Sequence, residues 1–151
     1  MHFNTIATTS LRNMADPLSI SASIVTILQL TASVAQYLND IKDASKERQS
    51  LLVEISSVSS LLYTLKGLAE RAQWGDTWLT TMKSLMAPKG PMEQFKAALE
   101  NIASRLMPIG GLKRVGNAIT WPLQKNEIKD ILCVIERQKT LFALALQNDH
   151  L

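Results

Sequence analysis

From Pro17 to Asn39 the chain runs for 23 positions without a single Asp, Glu, Lys or Arg, the longest uncharged run in the sequence. As a helix rising about 1.5 Å per residue this run spans roughly 34 Å, close to the ~30 Å hydrocarbon core of a bilayer. Ser19, Ser21, Ser23, Thr26, Gln29, Thr31, Ser33 and Gln36 interrupt it, so it falls short of the near-continuous apolar run of a constitutive spanning helix. At 100° per residue, Ile20, Ile24, Val25, Ile27, Leu28, Leu30, Val34, Ala35 and Leu38 form a broad arc. Thr26, Gln29, Ser33, Gln36 and Tyr37 fill the narrower remainder. Such a helix suits the interior of a bundle, and it also suits lipid. A third possibility is a cleaved signal peptide ending near Ser33-Val34-Ala35, but Arg12 alone makes a thin charged region before it. Met1 to Asn13 reads as a disordered leader ahead of Met14, with the domain occupying residues 14–151.

The remainder is also helical in pattern. Asp16-Pro17 is a helix start, with a side-chain acceptor at the cap and a proline in the first turn. A helix over about 17–38 is followed by a connection and a second helix over about 45–72, with Leu51, Ile55, Val58, Leu62, Leu65 and Ala69 at helical spacing. Trp74-Gly75 ends that helix, and Thr77 to Met86 forms a short one carrying Trp78, Leu79, Met82 and Leu85. Pro88 to Pro91 breaks the chain. Pro91 then opens a helix in which Phe95, Leu99, Ile102 and Leu106 recur until Pro108 stops it. A short basic segment presents Leu112, Val115, Ala118 and Ile119 and ends at Trp121-Pro122. A last helix over about 126–148 carries Ile128, Ile131, Leu132, Ile135, Phe142 and Ala145 on one side. No stretch alternates long enough to make a strand. The expectation is an all-α chain, an antiparallel four-helix bundle with one or two short extra helices. The tail ends without a stop signal, so a downstream region is expected.

Chemistry-bearing residues are few. With one cysteine no intramolecular disulfide forms, and His2 and His150 stand at opposite ends of the chain. Cys133 reads as a small packing residue beside the Ile128, Leu132 and Ile135 face. Glu127 and Asp130 read as a solvated pair. The run from Pro108 to Arg114 lacks the spacing and the preceding strand of a phosphate loop. No catalytic, cofactor-binding or metal-ligating residue is therefore assigned, and an enzyme is not expected.

The charge distribution is more informative. Lys83 to Lys125 holds seven basic residues against two acidic ones, +5, whereas the remainder has nine against eleven, −2. Lys83, Lys89, Lys113, Arg114 and Lys125, with Trp121 as an interfacial anchor, form either a solvated face or a surface for anionic lipid, worth ~1 kcal/mol per basic residue near a membrane. The diffuse spacing argues against nucleic acid.

Six separated blocks, Met14–Ile24, Tyr37–Arg48, Leu51–Ser57, Pro91–Phe95, Trp121–Lys125 and Leu146–His150, resemble the HeLo-like (HELL) N-terminal domain of fungal NOD-like (STAND) receptors. The resemblance covers Met14 to the end. It implies a bundle akin to the HeLo and mixed-lineage-kinase-like executioner domains, which reach the plasma membrane from the cytoplasm and permeabilise it in regulated cell death. It implies self-association into oligomers under a downstream NACHT or amyloid-signalling region, with the N-terminal helix as the membrane-active element. Here that role falls on Leu18 to Leu38, through Leu18, Ile20, Ile24, Val25, Ile27, Leu28, Leu30, Val34 and Leu38. The thirteen-residue leader departs from the family pattern, which starts at the equivalent of Met14. The alternative is a protein–protein adaptor that never touches lipid.

Overall fold

The computed structural model describes residues 16–41, 45–73, 75–112 and 123–148, with backbone alone for 107–112 and 148. The expected leader, Trp74, the basic segment with Lys113, Arg114 and Trp121, and both histidines lie outside the described residues. Within them the chain is all-α: α1 (Pro17–Asp40), α2 (Lys46–Arg71), α3 (Trp78–Leu85), α4 (Pro91–Leu112) and α5 (Lys125–Asn148). No strand occurs among the described residues.

Local chemistry sets the helix ends. The Leu18 N–H donates to Asp16 Oδ1 (3.3 Å) and Pro17 takes the first turn, so α1 starts where a missing N–H costs nothing. Ser45 caps α2 by accepting from the Arg48 N–H (3.3 Å). At the start of α5 the Glu127 carboxylate reaches back to the Gln124 N–H (3.1 Å), half of a capping box. The turn into α4 needs Gly90, because a Cβ there would lie 2.7 Å from the Ala87 carbonyl oxygen.

The four long helices close a ring. α1 packs on α2 and α4, and α5 packs on α2 and α4, while α3 covers part of α5. Two pairs are antiparallel hairpins by their side-chain bonds. In the first, the Arg48 guanidinium donates to the Leu38 carbonyl (3.0 Å) at one end and the Ser21 hydroxyl to Glu70 Oε1 (3.4 Å) at the other. In the second, Arg105 pairs with Glu127 (3.0 Å) and Gln138 Nε2 donates to Gln94 Oε1 (3.0 Å). The core is a single apolar cluster to which all five helices contribute. At its α4–α5 side Phe95 and Phe142, both fully buried, meet edge to face with centroids 6.1 Å apart.

Three expectations are corrected. Proline at 108 does not stop α4, which continues to Leu112; a proline inside a helix removes one backbone hydrogen bond, a cost of about 3 kcal/mol that need not end the helix. Helix α2 ends at Arg71, ahead of Trp74-Gly75, and Gly75 (φ +92°) instead supplies a left-handed residue in the turn toward α3. Cys133 is exposed rather than packed, since it sits about 100° around the helix from Leu132, itself at the margin of the α5 core stripe.

Replacing Phe142 by Ala should lower stability by about 3–5 kcal/mol in urea unfolding, because it empties a closed site, whereas Leu141→Ala, next door but partly exposed, should change it by under ~1 kcal/mol.

Candidate functional site

Helix α1 is the first candidate. Ile20, Ile24, Ile27, Leu28, Val34 and Leu38 are buried against α2 and α4, Val25 and Leu30 are half-buried, and Leu18 is 76% exposed. Of the nine side chains assigned to membrane insertion, six are thus committed to the core in this conformation. The opposite face carries Ala22, Thr26, Gln29, Ala32, Ser33 and Gln36 in the open.

Four polar side chains of α1 find partners within the helix. Thr26 and Ser33 donate to the carbonyls of Ala22 (3.1 Å) and Gln29 (3.2 Å), and buried Thr31 donates to Ile27 (2.7 Å). Gln36 Nε2 donates to Asp40 Oδ1 (3.2 Å). A hydroxyl bonded to its own helix does not need water, which removes much of the cost of placing it in hydrocarbon.

Helix α2 is long and apolar enough to cross a membrane by the same measure of length and composition as α1. Periodicity reading missed this, because it treated α2 as an ordinary amphipathic helix and weighed its flanking charges. The signal was available: from Gln49 to Leu65 the only charge is Glu54. Glu54 does not face water freely; its carboxylate holds the Lys139 ammonium of α5 at 2.6 Å. Ser57, Ser60 and Thr64 again bond carbonyls four residues back (3.0, 3.3 and 3.1 Å). Val53 and Tyr63 are exposed on α2, as is Leu144 on α5.

The assigned lipid-contact cations are only partly within view. Lys83 lies in the last turn of α3, Lys89 in the turn before α4 with φ +59°, and Lys125 opens α5; all three are exposed. They make no ion pair with another described residue. Two other cations of the basic region are already matched, Lys96 with Glu100 (3.8 Å) and Arg105 with Glu127. Among the described residues no group of three or more His, Cys, Asp or Glu stands close enough to hold a metal.

Glu127 is tied in at the start of α5. The Gln124 N–H, and after it the Arg105 guanidinium, hold the Glu127 carboxyl below its ordinary 4.5. A carboxyl lowered on folding stabilises the fold above its unfolded value, and that contribution is lost as pH falls through the lowered value. Unfolding of Glu127→Gln should therefore depend less on pH below about 4.5 than unfolding of the parent chain, measured by urea titration at a series of pH values.

Comparison with protein-family models, with curated proteins and with solved structures finds no match to this chain.

Proposed function

We propose that the chain is a HeLo-like effector domain of regulated cell death, an antiparallel four-helix bundle with one added short helix. Oligomerised by an attached sensor or amyloid-signalling region, it moves from the cytoplasm to the plasma membrane and permeabilises it through α1. The observation that carries this reading is the 24-residue α1, which has no charge between its Asp16 cap and Asp40 and ties the hydroxyls of Thr26, Thr31 and Ser33 to its own carbonyls. A helix that only had to seal a core has no need of an uncharged outer face; solvated helices ordinarily place Lys, Glu and Arg there. For insertion the absence matters, since each central charge costs roughly 2.5–3.5 kcal/mol on insertion scales. Exposed Lys83, Lys89 and Lys125, together with Lys113, Arg114 and Trp121, would hold the domain on anionic lipid.

The outer face gives a test that spares the core. Gln29→Glu with Ser33→Glu puts two charges on exposed positions of α1, so circular dichroism should stay that of the parent. Dye leakage from anionic vesicles, driven by a chemically oligomerised full chain, should fall at least tenfold. Thr140→Glu on exposed α5 should leave it unchanged. Equal leakage from all three removes α1 from the mechanism.

A second reading, a helical adaptor of a fungal NOD-like receptor acting on another protein, draws on the exposed Val53, Tyr63 and Leu144. Vesicle flotation separates the two: the effector should float with anionic vesicles once oligomerised, and an adaptor should stay in the aqueous fraction.

A further inference from the structure

The side-chain ties described above are not distributed evenly around the ring of helices. Those of α1 run to α2 and lie at both ends of the pair: Arg48 on the Leu38 carbonyl, and Ser21 on Glu70. The α1–α2 interface is also the most extensive among the described helices. Those of α4 run to α5, through Arg105 with Glu127, Gln138 with Gln94, and the Phe95–Phe142 contact. Across the seam between the two hairpins runs the Lys139–Glu54 ion pair, at 2.6 Å, with Glu54 the less exposed partner.

If α1 left alone it would strip its largest interface and break both end ties. If α1 and α2 leave together, that interface and those ties travel intact. The partner helix is fit to go: α2 is the other described helix long and apolar enough for a membrane, and its charges lie toward its ends except for Glu54. Glu54 is therefore both the one charge that would resist embedding the middle of α2 and the group that fastens α2 to α5.

We propose that the membrane-active unit is the α1–α2 hairpin rather than α1 alone, and that the Glu54–Lys139 ion pair is the latch that keeps it on α5. This rests on the membrane-permeabilising reading above. On release the hairpin enters the bilayer with the uncharged outer face of α1 against lipid and the charged ends of both helices at headgroup level.

Cross-linking distinguishes the two departures in the full chain carrying Cys133→Ser and a chemical oligomeriser. Ser21→Cys with Glu70→Cys, joined by a short bismaleimide, locks α1 to α2. Glu54→Cys with Lys139→Cys, joined likewise, locks α2 to α5. Leakage from anionic vesicles should stay within twofold of the uncross-linked protein in the first and fall at least tenfold in the second. The opposite pattern shows that α1 departs alone, which overturns the hairpin and leaves the membrane reading standing. Loss of leakage in both locks, or in neither, also overturns the hairpin. Absence of leakage in the unlocked parent removes the membrane reading, and the hairpin with it. For the latch, Lys139→Glu should speed leakage severalfold and Glu54→Lys with Lys139→Glu should restore the parent rate; an unchanged rate in Lys139→Glu removes the latch.

Discussion

The packing of α1 through Ile20, Ile24, Leu28, Val34 and Leu38 against α2 and α4 is what the rest of the structure depends on. Each such side chain contributes about 1.5–3 kcal/mol when withdrawn from water, so the stripe as a whole is comparable with the net stability of a domain this size. Because α1 sits between α2 and α4, its removal opens the core from one side, and whatever holds α1 in place governs access to the apolar interior.

The same helix has an unusual outer face. Position by position it offers Ala22, Thr26, Gln29, Ala32, Ser33 and Gln36, polar enough for water yet free of charge. The internal bonds of Thr26 and Ser33 mean that changing solvent does not orphan those groups. Stability in the bundle and tolerance of lipid are thus compatible in one segment. In the proposed exchange of environments the cost would fall on the apolar inner stripe, which lipid would have to cover in place of protein. A few polar ties, of which Glu54–Lys139 is one, remain to be broken.

Much of the fold was legible in the sequence because helical periodicity records burial directly. Every member of the α2 stripe from Leu51 to Ala69 is buried, as are Phe95, Leu99, Ile102 and Leu106 of α4. Misses came where a polar residue took a core register or a partner lay far away in sequence. Gln138 stands between Ile135 and Phe142 on α5, fully buried; Gln94 of α4 accepts its amide hydrogen, while its Oε1 has no hydrogen-bond partner among the described residues. Ser21 and Thr31 are likewise buried with their hydroxyls satisfied. The Glu54–Lys139 contact joins residues 85 positions apart, which no local pattern encodes. Proline 108 misled in the other direction, its local preference being outweighed by the continuity of α4. As for the candidate site, the absence of charge in α1 was plain from the sequence, whereas the apolar middle of α2 was hidden by Glu54 and by the charges at both ends of the helix.

The central claim is that α1 exchanges protein for lipid. A fluorophore on Thr26→Cys, in a Cys133→Ser background, reads this directly, since position 26 faces water in the closed bundle. On oligomerisation with anionic vesicles, the account predicts a blue shift and quenching by nitroxides placed on the acyl chains, with protection from aqueous iodide. A probe that stays open to iodide and untouched by the lipid-borne nitroxides while the vesicles leak would contradict it.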